Sequence, residues 1–236
     1  AITMTDVIND WNPVYTFLVG IAGGRRGKLN TGDIAVSNIV HEHYFERHGM
    51  SSVQSKKNSY HISSPLLAST QEFLKSNWQS KLPQVLADKH IQAKLGAVVS
   101  GNSVVASTKK ERELRREYHD YIAVEMEAHG VFSTLKRLTG SHELPGLVVK
   151  GISDYADHTK KDTPERELAA KTSASFVRAI IEWGNILTPA VEPRVPSGIL
   201  ASAEQTHYLG QLWQLSGSIN KAHQHYASAW IEATST

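Results

Sequence analysis

The chain alternates short apolar runs with polar, glycine-marked breaks, and the runs are of two kinds. Residues 14–19 (Val-Tyr-Thr-Phe-Leu-Val), 95–99, 121–124 and 146–151 (Gly-Leu-Val-Val-Lys-Gly) are continuous. A strand covered on both faces has no polar side to show, so such runs predict the buried strands that parallel sheets contain. Residues 29–37 predict a turn, with Gly32 and Asp33 at its corner, and then another strand. Elsewhere the apolar positions space out to three and four. Residues 64–74 open on Ser64 and Pro65, a helix start. Within 164–184, Leu168, Ala169, Thr172, Phe176, Ile180 and Trp183 form the core-facing stripe of a long helix. Residues 109–117, dense in Lys, Arg and Glu, predict an exposed helix with opposite-charge pairs. At the front, 1–9 predict a short helix turning Ile2, Val7 and Ile8 inward, broken over 10–13.

The character changes after the last of these helices. Pro189, Pro193 and Pro196 make 188–198 an extended linker between a domain, 1–187, and a tail, 199–236. In the tail, Leu209, Gly210, Trp213, Gly217, Ile219, Ala222, Tyr226 and Ala229 match the pattern of one tetratricopeptide repeat. Small residues stand where two helices cross and large ones beside them. A lone repeat cannot bury its own face, so this C-terminal α-helical hairpin needs further repeats or a neighbouring surface. A generic helical hairpin is the alternative.

Composition narrows the function classes. Of 236 residues, 40% are hydrophobic and 20% charged, a globular balance, and no apolar run approaches a membrane span. A formal net charge of +2 argues against a nucleic-acid surface, which needs concentrated positive charge. Cysteine is absent, so there is neither a disulfide nor a thiolate metal site, in keeping with a cytoplasmic protein. His41 and His43 share a strand face, as a metal pair can; a half-exposed edge, or substrate contact by His43 or Tyr44, is preferred, and no metal is assigned.

The chemistry gathers at strand ends. Glu125 and Glu127, with Met126 between them, close the run 121–124, and Ala128, His129, Gly130 and Val131 lead on into a helix. Side chains on a strand alternate, so a strand end delivers both carboxylates the same way. The run 146–151 ends in Ile152, Ser153, Asp154, Tyr155, Ala156 and Asp157. In an open α/β sheet, ligands bind beyond the carboxyl ends of strands, which puts both acidic clusters on one rim. A third exit, Gly20 to Gly24, offers glycines that permit close backbone approach to a ligand.

The motifs VEMEA (124–128) and GISDYAD (151–157), preceded by VGIAGG (19–24) and TGDIAVS (31–37), resemble the purine nucleoside phosphorylase and methylthioadenosine/S-adenosylhomocysteine nucleosidase superfamily. The resemblance runs over residues 1–183 in the family's order. It implies a nucleoside phosphorylase-like α/β fold, a mixed central sheet flanked by helices, and cleavage of a purine N-glycosidic bond without a cofactor. Carried onto this chain, it makes Asp154 the acid toward the purine N7, with a proton retained through burial beside Ile152 and Tyr155. Glu127 accepts from the ribose hydroxyls, Met126 packs on the sugar, and Glu125 sits at the ribose or behind it. Gly23, Gly24 and Ile21 border the ribose and the nucleophile; Ser103 and Val104 fall at the base pocket, where nucleosidases carry a stacking aromatic. Lys150 replaces the arginine many nucleosidases have before the aspartate. Family members begin with further strands bearing an acidic residue near the nucleophile, and nothing in 1–9 corresponds to them.

Phosphorylases of the bacterial hexameric type hold phosphate with an arginine and, three residues later, a serine or threonine. Here Leu18 and Ile21 occupy those places, and an apolar pair cannot bind a dianion. Water is therefore the expected nucleophile, with Arg25 and Arg26 as candidate phosphate contacts. Three readings stand in order: a hydrolase releasing a purine, adenine above others, from a nucleoside or nucleotide; a phosphorylase; and a scaffold or ligand-binding module that lost the chemistry. Joined to repeat helices, the domain reads as an effector controlled by a sensor or by assembly, as in immune or antiphage proteins. The resemblance also implies a homo-oligomer.

Overall fold

The structure, a computed structural model, describes residues 3–11, 13–43, 58–101, 108–156 and 164–185. Seven strands form a mixed sheet: β1 (Thr16–Gly24), β2 (Ile34–His43), β3 (Ser59–Ile62), β4 (Ala93–Gly101), β5 (Tyr121–Glu125), β6 (Glu143–Leu144) and β7 (Gly146–Asp154). Their order is β4-β5-β1-β7-β2-β3-β6, and β2 also pairs with β4, so five of them close into a ring. The sheet is closed where an open one was expected. β2 makes this possible by changing neighbours. One flank runs beside β4 from Ile34 to His43; the other pairs with β7 over Ile34 to Val36 and with β3 over Ile39 to His41.

Helices cover the sheet: α1 (Met4–Trp11), α2 (Ser64–Lys75), a four-residue α3 (Gln84–Ala87), α4 (Thr108–Glu117), α5 (Ala128–Thr139) and α6 (Pro164–Trp183). α1 extends past the predicted break at Asp10. Thr3 and Asp6 cap its start reciprocally, Thr3 donating its amide and hydroxyl to the Asp6 carboxylate at 2.8 Å. α6 keeps its predicted stripe, with Ala169, Thr172, Phe176 and Ile180 fully enclosed. It lies so close to β7 that a Cβ on Gly151 would stand 1.9 Å from the Ala169 carbonyl oxygen. Phe73 of α2, Trp78 and Phe176 interlock edge-on or tilted, with centroids 5.1–6.4 Å apart. Among the described residues no helix is long and apolar enough to cross a membrane.

α4 differs from the exposed helix its charges predict. Leu114 is fully buried against Ala97, Val99 and Tyr121, and Glu111 is 9% exposed. The Glu111 carboxylate accepts from the Tyr121 hydroxyl at 3.2 Å and pairs with Arg115 one turn on. A buried acid is tolerated because both partners reach it.

The Gly32–Asp33 corner ties three elements together. Asp33 accepts from the amides of Asn30 at 2.7 Å and Gln92 at 2.9 Å. Its own carbonyl receives the Ile152 amide at 2.8 Å. Gly32 has φ +89°, which a side chain would strain.

Among the described residues β1 has one flank that is paired only at its end. The Thr16 amide donates to Pro145 on the β7 side, whereas the Arg25 amide donates to Ile122 on the β5 side. Backbone groups alternate along a strand, so Phe17, Val19 and Ile21 point theirs toward the β5 side. β5 pairs only with Gly23 and Gly24, and among the described residues no strand continues along the rest of that flank. Val19 is 39% exposed there.

Candidate active site

The site is built where β5 and β7 flank the end of β1. β5 runs antiparallel to β1 and β7 parallel to it, yet both present their carboxyl ends to Gly23, with Val124 opposite on one side and Asp154 on the other. The two acidic ends are thus brought to one stretch of β1 by register. The β7 ladder slips by one residue between Ala22 and Gly23, which bulges Ser153 and sets Asp154 opposite Gly23.

Gly23 and Gly24 belong to strand β1, where a strand exit was predicted, and each has a packing reason. A Cβ on Gly23 would lie 2.6 Å from the Ala156 Cβ, and one on Gly24 2.6 Å from Ile152 Cγ2. The close approach they permit is that of the β7 end. Ile152 therefore packs over Gly24, and Tyr155 lies under the Arg26 guanidinium at 4.1 Å.

Asp154 is half-buried. Its Oδ1 accepts the Ala156 amide at 2.7 Å and its Oδ2 the Ser153 hydroxyl at 2.9 Å. The turn is tight enough to put Ala156 at φ +53°.

Glu125 and Glu127 do not share an environment. β5 ends at Glu125, the chain bends at Met126, and Glu127 stands at the start of α5 with helical backbone angles, its own side chain making no capping bond. The Glu125 side chain is 1% exposed and accepts the amides of Glu127 at 3.1 Å and Ala128 at 3.0 Å. Carboxylates are favoured at this end of a helix, where unpaired amides concentrate positive potential. The Glu127 side chain is 60% exposed, and Met126 is 40% exposed beside it. Both acids converge on Lys150: its Nζ is 3.1 Å from Glu125 Oε2 and 2.8 Å from Glu127 Oε2. Partial burial, the largest influence on Glu127, pushes its carboxyl up. The Lys150 hydrogen bond and charge, with Glu125 and the Met126 amide, outweigh it and hold Glu127 below the ordinary glutamate range.

Ser100, at the end of β4, stands in register between Glu42 of β2 and Glu125 of β5. Its hydroxyl accepts the His129 amide at 2.9 Å and lies 3.3 Å from His129 Nδ1, so it pins the first turn of α5 to the sheet. Sequence reasoning passed over this tie, and it marked Lys150 as a replaced ion-pair partner without naming Glu125 and Glu127 as what it reaches. A signal for the second existed: a lone lysine in a strand buried on both faces must be paired.

Other expectations change. The Arg25 guanidinium donates to the carbonyls of His119 and Tyr121 and lies 5.1 Å over the Tyr121 ring, so it holds the entry of β5. Ile21 is a half-buried strand residue opposite Gly151. His41 stacks on Tyr118 at 4.9 Å, and His43 Nδ1 lies 3.4 Å from Glu117 Oε1. β2 is an interior strand here, where an edge was expected. Burial, chiefly, keeps the His41 imidazole below its ordinary value. Among the described residues no group of three or more His, Cys, Asp or Glu could hold a metal ion. Tyr44, Ser103 and Val104, the linker 188–198 and the hairpin 199–236 lie outside the described residues.

The carboxyl ends of β5 and β7 thus meet over the glycines of β1, with paired acids on one side and an aspartate on the other, in a mixed sheet flanked by helices. The sequence matches the phosphorylase superfamily over residues 1–182, and the chain belongs to that family. The 5'-methylthioadenosine/S-adenosylhomocysteine nucleosidase of Staphylococcus haemolyticus (strain JCSC1435) is 31% identical over 189 residues, 77% of this chain and 75% of the relative. That of Staphylococcus aureus (strain MRSA252) is 27% identical over 187 residues, with the same coverage. Among solved structures, the Neisseria meningitidis 5'-methylthioadenosine/S-adenosylhomocysteine nucleosidase, in complex with methylthio-immucillin-A, superposes with a TM-score of 0.60 at 20% identity, over 76% of this chain and 74% of its own. The futalosine hydrolase of Helicobacter pylori strain 26695 gives 0.59 at 24% identity, over 76% and 72%.

Proposed function

We propose that the chain hydrolyses the N-glycosidic bond of a purine nucleoside or nucleotide and releases the base, adenine above others. The observation that carries this is Asp154 at the end of β7 and Glu125 and Glu127 at the end of β5, on opposite flanks of β1, with Lys150 of β7 reaching across to both glutamates. A nucleoside laid across β1 presents its base to one side and its sugar to the other. Bond cleavage makes the ribose cationic and sends electrons into the base. Glu127, ionised and half in solvent, accepts from the sugar hydroxyls more strongly as that charge grows. In this reading Asp154, whose two oxygens accept from the Ala156 amide and the Ser153 hydroxyl, takes up a proton and donates it toward the leaving base. The relatives named as nucleosidases and as futalosine hydrolase support hydrolysis.

Water is the nucleophile in this reading. Leu18 and Ile21 bring no charge to β1, and Arg25 is engaged with two carbonyls. The test is base release, followed by chromatography, from adenosine, methylthioadenosine, AMP and ATP, with and without phosphate. Adenine released without phosphate, and lost in Asp154→Asn, is the expected result; ribose 1-phosphate would establish a phosphorylase, and no base from any of the four would sink the enzymatic reading. The finer proposal, an effector governed by a repeat-bearing region after residue 198 and by assembly, predicts that activity changes with oligomeric state or on removing 188–236. Unchanged activity would refute it.

A further inference from the structure

A lysine among enclosed strand residues needs something to hold its charge. Val148, Val149 and Ile152 of β7 are fully buried, and Lys150 is 3% exposed among them. Its two carboxylate neighbours are not equivalent. Glu125 is enclosed and fixed by the amides at the start of α5, which its oxygens cap. Glu127 is mostly solvent-exposed, on the bend between β5 and α5, and a glutamate so placed would otherwise sample many rotamers.

We propose that Lys150 is a positioning residue: anchored on Glu125, it aims the Glu127 carboxylate into the site. The inference rests on the nucleosidase reading for what Glu127 then does. Lys150 spans a strand-to-helix turn, so the sheet sets the direction of a side chain that belongs to the helix cap. Gly20 supplies the lysine's bed. A Cβ there would stand 3.3 Å from Nζ and 3.6 Å from Cδ, tighter than ordinary van der Waals packing in the first case. One ammonium between two carboxylates leaves a net negative charge, so Glu127 remains an acceptor after it is aimed. The lysine's hydrogen bond goes to the exposed Glu127 at 2.8 Å, while the enclosed Glu125 holds it by charge at 3.1 Å.

The test uses the full chain and the variants Lys150→Met and Lys150→Arg. Two readouts are taken: kcat and KM for base release, and the titration of the Glu127 carboxyl carbon by isotope-edited NMR. Lys150→Met is expected to lower kcat/KM about tenfold to hundredfold, the range for losing one charge-assisted hydrogen bond, and to move the Glu127 midpoint up toward ordinary glutamate. Lys150→Arg, which keeps the charge, is expected to recover most of the rate and the low midpoint. A Lys150→Met protein with wild-type kcat/KM, or with an unmoved Glu127 titration, overturns the proposal. If that variant does not fold, Gly20→Ala replaces it, since it crowds Nζ and keeps the charge. A fall of about threefold to tenfold in kcat/KM at an unchanged unfolding midpoint is expected, and an unchanged rate overturns the proposal. If the wild-type chain releases no base, the nucleosidase reading fails by itself. Lys150 is then decided by the Glu127 titration, which needs no substrate.

Discussion

Gly23→Ala tests the packing that seats Asp154. The added Cβ would stand 2.6 Å from the Ala156 Cβ, 3.1 Å from its nitrogen and 3.2 Å from its Cα. Carbon atoms rest at about 3.5–4.0 Å, so the Ala156 turn must retreat by about 1 Å. Overpacking of this kind costs about 1–3 kcal/mol. The turn carries function as well, because the Ala156 amide donates to Asp154 Oδ1 at 2.7 Å. A misplacement of about 1 Å at a catalytic group can cost on the order of a hundredfold in rate, so kcat should fall further than stability suggests. The partner substitution is Ala156→Gly. It removes the Cβ that clashes and relieves a left-handed conformation costing about 1–2 kcal/mol, against roughly 0.5–1 kcal/mol of added unfolded-state entropy. With about 0.8 kcal/mol more for the buried methyl removed, it should alone be near neutral. Combined with Gly23→Ala it should recover about half the loss, since the added methyl still crowds the backbone of residue 156. Urea unfolding at constant m-value gives the four stabilities of the cycle, and initial rates of base release give kcat. Additive effects within about 0.5 kcal/mol, or a Gly23→Ala protein as stable as wild type, would refute the reasoning.

Other outcomes follow from single interactions. Asp33→Ala frees the amides of Asn30 and Gln92 at a buried corner and should cost about 2–4 kcal/mol in urea unfolding, with Asp33→Asn near half of that; a neutral Asp33→Ala would show that the corner closes without its carboxylate. Amide exchange along β1 should alternate, fast at Phe17, Val19 and Ile21 and slow at Leu18, Gly20 and Ala22; uniform protection would mean the open flank is covered. The Tyr118 and Tyr121 hydroxyls are pushed above the ordinary tyrosine value, by burial first and then by Glu117 and Glu42 for Tyr118 and Glu111 for Tyr121. Above about pH 10 the unfolded chain releases protons that the fold keeps, so stability is intact below that pH and falls above it. An ultraviolet titration should find these two of the eight tyrosines protonated until the chain unfolds, and eight normal tyrosines would contradict the burial.

What could be read from the sequence was local. The α6 stripe, the Gly32–Asp33 corner and the strand-to-helix change around Glu127 depend on spacing within a few residues, and the structure reproduces them. The glycines of β1 were misplaced because their reason lies in Ile152 and Ala156, far along the chain. α4 looked exposed because its charges dominate the pattern, while a single Leu114 and the Glu111–Tyr121 bond turn one face inward. Glu125 and Glu127 read as a matched pair, since period-two alternation assumes the strand continues. It stops at Glu125, and one acid becomes a cap while the other faces solvent. The Ser153 bulge that sets Asp154 opposite Gly23 left no local mark, because a bulge is a relation between two strands.

The ring of strands is unequal around its circumference. β1 meets β7 over eight register pairs but β5 over two, Gly23 with Val124 and Gly24 with Ala123. Strands with few shared hydrogen bonds separate first, so among the described residues the ring opens most cheaply at this short ladder. It lies between the strand ends that carry Glu125 and Asp154. Exchange of the Arg25 amide bonded to Ile122 should report that opening. A substitution that lengthened the β1–β5 ladder should slow that exchange and make the ring harder to open.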